Sequence, residues 1–399
     1  EKVDEMNDIL NGNFDRLDKS LGASNLIDSI KRHTQQNPRI FYDALYHLGF
    51  NSRDAENGVR YKIYQYFNES YEHIKKVADG FNDSQKLIKF VLNGLLDFDY
   101  SVRKEAVKLG NKVIKSNYNL NPILKACAKI TRANLDLARI FKQILDKGFG
   151  FETAIKVAVK NFNRREVDFV ENSLFLFDTL FNYEKGVETA LKTAAKLFNH
   201  PNRFYRSKSY SLLNLLLQRG LAVEEITNLV RSGNDPKLIL CDQYLVLLGN
   251  LIKKGRCFEV GIKAAEEGIK TQDVHLNRYS LELFDAFVEN GHAYQEALHA
   301  AKEAIYNDEP ELRVKSVALL EKLIEQGLGI KESLEVAKIG GMDAASKVRQ
   351  RALVLLTKLV EKNEGFEEAY KAAEAGIFDE ECEIAALDLF EKLFEKGVG

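Results

Sequence analysis

Apolar positions in the second half of the chain fall at spacings of three and four, in blocks separated by polar turns. That spacing predicts amphipathic helices. The blocks alternate between two kinds. One kind is rich in small residues: Glu188-Thr-Ala-Leu-Lys-Thr-Ala-Ala, Gly261-Ile-Lys-Ala-Ala, Gln295-Glu-Ala-Leu-His-Ala-Ala, Lys331-Glu-Ser-Leu-Glu-Val-Ala and Glu367-Glu-Ala-Tyr-Lys-Ala-Ala. The other is heavier: Ser211-Leu-Leu-Asn-Leu-Leu-Leu, Ser280-Leu-Glu-Leu-Phe-Asp-Ala-Phe, Ser316-Val-Ala-Leu-Leu-Glu-Lys-Leu, Ala352-Leu-Val-Leu-Leu-Thr-Lys-Leu and Ala386-Leu-Asp-Leu-Phe-Glu-Lys-Leu. The small-residue helix is anchored at Ala154, Ala190, Ile226, Gly261, Ala297, Ser333 and Ala369, a step of 36 with one slip to 35 before Gly261. Four residues on stand Ala158, Ala194, Val230, Ala265, Ala301, Ala337 and Ala373. Residues four apart share a helix face, so each first helix carries a small-residue stripe, read here as the seam between first helices of successive repeats.

A fixed period of this length predicts an all-α fold, a right-handed α-solenoid of stacked antiparallel helix pairs with roughly 9–10 repeats. Gly220, Gly255, Gly291, Gly327 and Gly397, with Asn363 in the same place once, are expected to close the second helices in the left-handed conformation. Gly148-Phe-Gly150 and Gly327-Leu-Gly329 complete no phosphate-binding motif and read as turns. Upstream the period weakens. Ser84–Leu96 with Val102–Lys115 make one pair, and Pro122–Ile130 with Leu135–Asp146 a shortened one. Residues 1–36 read as N-terminal capping helices, 37–79 as irregular, aromatic-rich helical repeats, and 80–399 as the array.

The first-to-second helix turn carries a further pattern: Asp97 followed by Val102-Arg103 and Ala106, and Asp343 followed by Val348-Arg349 and Ala352. Asn307 with Leu312-Arg313 is a near match, and His200 with Tyr205-Arg206 keeps the arginine only. This pattern resembles the HEAT-repeat family, over roughly residues 80–397. The resemblance implies that Asp97, Arg103, Arg206, Asn307, Arg313, Asp343 and Arg349 act as inter-repeat links. In register, Asp235, Thr271 and Asp379 face Cys241, Asn277 and Ala385. The polar ladder is therefore expected to be broken in the middle and at the end.

Composition changes the picture little. Five prolines in 399 residues suit a helical chain, and no apolar run reaches the roughly 18 residues of a membrane span. Cys127, Cys241, Cys257 and Cys382 are far apart, which favours a reducing compartment over a disulfide framework. A cytoplasmic location is the expectation; the chain opens on Glu1 rather than methionine, so this is silent on any targeting segment. The seven histidines form no ligand-spaced pair, so no metal and no cofactor are expected. No nucleophile elbow occurs. The family implies a few enzymes, among them hydroxylases with paired His-Glu motifs and glycosylases with aromatic clamps including tryptophan. Neither pattern is present, so no enzymatic activity is expected.

Charge is the remaining hint. A net charge of −2 hides +11 over residues 101–210 and −7 over residues 301–399. Lys104, Lys108 and Lys112 recur every four residues on one second helix; Arg139 and Lys142 lie on the next, and Arg203 and Lys208 open another. These seven are the candidate partner-binding residues. The first expectation is a non-enzymatic scaffold or adaptor that binds a protein, an acidic or helical segment, along a curved surface. The alternative is nucleic-acid binding, because aromatic residues are interleaved with the basic ones. A HEAT-fold enzyme is third.

Overall fold

The computed structural model describes residues 57–80, 84–116, 118, 120, 123, 135–233 and 240–398. Among them lie nineteen helices and no strand. The chain divides into two compact units, Glu1–Gly186 and Val187–Gly399. The first contains α1 (Asn57–Glu69), α2 (Tyr71–Gly80), α3 (Ser84–Leu95), α4 (Tyr100–Lys115), α5 (Leu135–Asp146), α6 (Phe151–Phe162) and α7 (Val167–Phe181). The second contains α8 (Val187–Phe198), α9 (Arg203–Gln218), α10 (Val223–Arg231), α11 (Asp242–Ile252), α12 (Phe258–Ile269), α13 (Val274–Glu289), α14 (Tyr294–Ala304), α15 (Pro310–Glu325), α16 (Ile330–Gly341), α17 (Ser346–Glu361), α18 (Phe366–Gly376) and α19 (Glu383–Glu395). The capping helices expected within residues 1–36, the irregular segment before residue 57, and all of the helix expected at Pro122–Ile130 except Ile123 lie outside the described residues.

Each unit is a stack of antiparallel pairs. Within the second, α9, α11, α13, α15, α17 and α19 pack successively on one another, and the first helices α8, α12, α14, α16 and α18 each pack chiefly on their own partners, whereas α10 rests on α9. The reason is visible in the side chains. Second helices carry leucine and phenylalanine on a wide face: Leu283, Leu319, Leu323, Leu355 and Leu359 are all buried, and Phe287 packs against Phe258 of α12.

The small-residue stripe is fully buried, from Ala154 and Ala158 to Ala369 and Ala373. It is not the seam between first helices. Its close approach is to the second helix of the same repeat, where Ser173, Ser209 and Ser316 donate to the carbonyls of Ala158, Ala194 and Ala301 at 2.7, 2.7 and 2.6 Å. A Cβ added at Gly268 would lie 2.1 Å from Ser280 Oγ, and one at Gly340 3.0 Å from Ala352 Cβ. Spacing alone identifies a face but not the neighbour it meets. The first helices touch one another instead near their N-termini, where Gly329 and Gly365 sit against Leu298 and Leu334.

The return turns are left-handed at the expected glycines and at Asn363. In the turns at Gly148, Glu184, Gly220, Gly255, Gly291, Gly327 and Asn363 a second left-handed residue follows two positions later: Gly150, Gly186, Ala222, Cys257, Ala293, Gly329 and Gly365. Three of those are not glycine. The conformation costs an L-residue roughly 1 kcal/mol or more, so these turns are held by the packing on either side.

Candidate binding surface

The turn from first to second helix is built in the same way in successive repeats. A side chain at one fixed position accepts a hydrogen bond from the backbone N–H two residues on: Asp97 from Asp99, His200 from Asn202, Thr271 from Asp273, Asn307 from Glu309, Asp343 from Ala345 and Asp379 from Glu381. Four residue types thus perform one task, because carboxylate, amide, hydroxyl and imidazole each offer an acceptor at short reach. At the N-cap, Asp99, Asn202 and Asp273 in turn accept from the first N–H groups of α4, α9 and α13.

The arginine six residues after that acceptor ties the turn down. Nη1 of Arg103, Arg206, Arg313 and Arg349 donates to two successive turn carbonyls, those of Asp97 and Phe98, His200 and Pro201, Asn307 and Asp308, and Asp343 and Ala344. In Arg313 and Arg349 the rest of the guanidinium points forward to the next repeat. Arg313 meets Asp343 with two bonds, Nε to Oδ2 at 2.6 Å and Nη2 to Oδ1 at 2.8 Å. Arg349 meets Asp379 through Nε and Nη2, and Arg60 meets Asp97 in the same way. Burial pushes the Asp343 carboxyl up, but Arg313 and the Ala345 N–H outweigh it and hold the group below its ordinary range. Arg349 lowers Asp379 likewise.

The expected break at the end of the ladder is therefore corrected. An arginine pairs with the aspartate of the following repeat rather than with its own, so Asp379 is a rung although Ala385 stands six residues after it. In the middle, Thr271 and Asn277 lie 3.5 Å apart within one repeat. Asp235 lies outside the described residues.

These tied turns carry an apolar row. The residue before the acceptor is Tyr306, Met342 and Phe378 in three consecutive repeats, 68%, 89% and 87% exposed. Leu96 and Phe98 occupy the corresponding turn of the first unit and are exposed too. Large exposed apolar side chains in series are the informative kind of surface. The 36-residue register contains this signal, since Tyr306, Met342 and Phe378 stand at equal steps in polar turns, but charge counting passes over it. Exposed acids flank the row: Asp308 and Glu309 beside Tyr306, Glu380 and Glu383 beside Phe378.

The basic candidates have varied surroundings. Lys104 and Arg139 are exposed. Lys108 pairs with Glu105 at 2.5 Å and Lys142 with Asp146 at 3.0 Å. Lys112 donates to the Asn68 carbonyl and lies over the Tyr71 ring. In the second unit, Arg203 is 3.9 Å from Asp242, and Lys208 is only 4% exposed, 4.4 Å from the Tyr205 ring centroid, with burial pushing its ammonium down to about 8. Three of the seven are thus exposed cations in existing pairs or loose contacts, and two are drawn inward.

No helix among the described residues is long and apolar enough to cross a membrane. No protein-family profile and no curated protein sequence matches the chain. Solved structures do match it. A Kap95p structure, in which Kap95p binding induces the switch loops of RanGDP to adopt the GTP-bound conformation, aligns over 99% of this chain and 61% of its own at 10% identity, with a TM-score of 0.52. Yeast importin-β (Kap95p) aligns over 94% of this chain and 53% of its own at 11% identity, with a TM-score of 0.53. The chain thus spans between half and two thirds of the length of these structures. At that identity the likeness is one of fold, and it agrees with the repeat register, the stacked second helices and the arginine–aspartate rungs: the chain is a HEAT-like α-solenoid, with the architecture of importin-β.

Proposed function

We propose that this protein is a non-enzymatic scaffold that binds a protein partner along its turn edge. The observation that carries the reading is the row of Tyr306, Met342 and Phe378, exposed at equal steps on turns that the Arg313–Asp343 and Arg349–Asp379 pairs hold rigid. Rigid apolar anchors lose little conformational entropy on binding, which is what hot spots require. Kap95p, which shares the architecture, binds a protein, Ran. That is support by analogy of fold.

The nucleic-acid reading, and with it the basic set as the main surface, has less behind it, because Lys108 and Lys142 already sit in ion pairs and Lys208 is buried. Affinity capture with the wild type, Met342→Glu and Lys104→Glu separates the readings. A protein retained by the wild type and Lys104→Glu but lost by Met342→Glu is the expected result. Retention by Met342→Glu with loss in Lys104→Glu would move the site to the basic helix, and a nuclease-sensitive signal would favour nucleic acid.

A further inference from the structure

The way second helices stack says what the outer face of α19 is built to receive. A Cβ on Gly340 of α16 would lie 3.0 Å from Ala352 Cβ, and one on Gly376 of α18 would lie 3.1 Å from Ala386 Cβ. Ala352 and Ala386 are therefore equivalent, a step of 34 rather than 36. On that register Leu387, Phe390 and Phe394 match Leu353, Leu356 and Val360 of α17, and Val317, Leu320 and Ile324 of α15. The six residues on α15 and α17 are buried, and their face looks onward: the same two Cβ atoms would lie 3.7 Å from Val317 and 3.0 Å from Leu353 of the preceding repeats. On α19 that face is open. Leu387 is 48% and Phe394 65% exposed, with Ile384 beside them at 76%. The Phe390 ring lies 5.6 Å from that of Tyr370 and 6.4 Å from that of Phe394, so the patch continues from α18 onto α19. A repeat that closes an array in water has a polar outer face, whereas this one shows a helical stripe of large apolar side chains.

The charges along this seam follow a second rule. Near the end of three successive second helices a glutamate receives a lysine from the next one: Glu289 from Lys322 at 2.6 Å, Glu325 from Lys358, and Glu361 from Lys392 at 3.8 Å. One turn earlier, Asp285 also meets Lys322, at 2.7 Å, and the buried Glu321 is covered by Arg351 at 2.6 Å and Lys358 at 3.7 Å. The cations come in pairs seven residues apart, Lys315 with Lys322 and Arg351 with Lys358, so each pair lies on one face of its helix. Helix α19 repeats the acceptors. Glu391 is equivalent to Glu321, and Glu395 to Glu325 and Glu361, and both are exposed. Glu395 is met by Lys392 of its own helix at 2.7 Å, a pair in water that contributes little.

Stripe and acceptors together specify the occupant. It is a helix, because the seam from α9 to α19 is second helix on second helix throughout. It is basic on one edge, because α13 and α15 meet lysine or arginine at the positions that Glu391 and Glu395 hold on α19. A second copy docking by the same face would set these glutamates against their own kind, which like-charge repulsion opposes. We propose that the outer face of α19 docks an amphipathic α-helix of a partner protein, laid where a further second helix would lie. Its apolar side chains cover Leu387, Phe390 and Phe394, and two basic residues spaced as Arg351 and Lys358 are meet Glu391 and Glu395. This surface does not depend on the turn row.

The test uses the full chain and 16-residue peptides with the sequence of α17, read by fluorescence anisotropy. In each peptide Leu353→Gln, Leu356→Gln and Val360→Gln remove the onward face, and a lactam staple there keeps the short helix formed. A second peptide adds Arg351→Glu and Lys358→Glu, and a third has the composition of the first in scrambled order. The proposal expects the first to bind at least tenfold more tightly than the other two, to weaken with added salt, and to lose at least tenfold when the chain carries Phe394→Glu. Glu391→Arg with Glu395→Arg in the chain reverses the preference, so that the acidic peptide binds at least tenfold more tightly than the basic one. Met342→Glu leaves binding unchanged. All these side chains are exposed, so the variants keep the wild-type melting temperature. No binding of the first peptide, no reversal of preference, or a loss with Met342→Glu would overturn the proposal. So would a chain that is dimeric in sedimentation equilibrium and monomeric with Phe394→Glu, since the face would then belong to a second copy.

Discussion

Replacing Asp343 with alanine tests whether the rungs stabilise the stack or merely decorate it. The carboxylate is 7% exposed and its Arg313 partner 14%, with two short bonds between them. A solvent-exposed pair contributes roughly 0–1 kcal/mol, and breaking a fully buried one costs roughly 3–5 kcal/mol. This pair lies at the turn edge, shielded but not deep, so the expected loss is about 2 kcal/mol. Asp343→Ala also frees the Ala345 N–H, which Arg313→Ala does not. The double-mutant cycle removes that difference, with an expected coupling of about 1.5 kcal/mol. Because a solenoid opens repeat by repeat, the readout is the local opening free energy from amide exchange in α15 and α17, not a single melting point. The carboxyl is held below its ordinary value of 3.8, so its contribution is complete above that pH and is lost as the pH falls through the depressed value. Additive single effects, or a gap between wild type and Asp343→Ala that persists unchanged into strong acid, would refute the reasoning.

Two serines at equivalent positions should respond in opposite directions. Ser316→Ala removes a buried bond to the Ala301 carbonyl and costs about 1 kcal/mol, whereas Ser280 Oγ is buried with no partner, so Ser280→Ala leaves stability unchanged or raises it in chemical denaturation. At the return turns, Gly220 has a φ of 71° and open space around it, so Gly220→Ala costs about 1 kcal/mol through backbone strain alone. Ala293, at 54°, gains up to about 1 kcal/mol on change to glycine, and equal melting temperatures would contradict this. Glu321 is buried on α15 beside Arg351 and Lys358, and burial outweighs both cations to push its carboxyl up to about 7. A raised carboxyl contributes stability below its ordinary value and loses it as the pH rises through about 7, so Glu321→Gln should gain on the wild type by on the order of 2 kcal/mol between about pH 5 and about pH 8. Parallel melting curves across that range would exclude it.

The array was legible because its determinants are local and repeated. Leucines at three and four spacing, glycines at Gly220, Gly255, Gly291 and Gly327, and the 36-residue step each report a physical need that recurs in every unit. Partner choice was less legible. Ala301 and Ser316 are fifteen residues apart in one repeat, and nothing in their spacing says that the stripe meets its own second helix rather than the next first helix. The same limit misplaced the end of the ladder, since Arg349 reaches thirty residues forward to Asp379. Charge was misleading for a different reason. A count of lysines registers Lys112 and Lys208 as it does Lys104, although one is bonded to the Asn68 carbonyl and another lies in the core.

The apolar row and the rungs coincide, and that coincidence bears on why the row exists. Leu96, Met342 and Phe378 precede aspartates that receive an arginine from the preceding repeat, whereas Tyr306 precedes a turn tied only by its own Arg313, as the His200 turn is by Arg206. The turns at His200, Thr271 and Asn307 receive no such rung among the described residues; the first two carry Asn199 and Lys270, and the third carries Tyr306. An exposed apolar residue gains nothing for folding from a rigid turn, because its side chain is in water either way. It gains for binding, since a fixed backbone removes part of the ordering cost that association would otherwise incur. Rungs placed for stability alone would show no preference for the residue beside them. On the scaffold reading proposed above, the pairing of rungs with Met342 and Phe378 is what a surface that presents anchors on fixed turns requires.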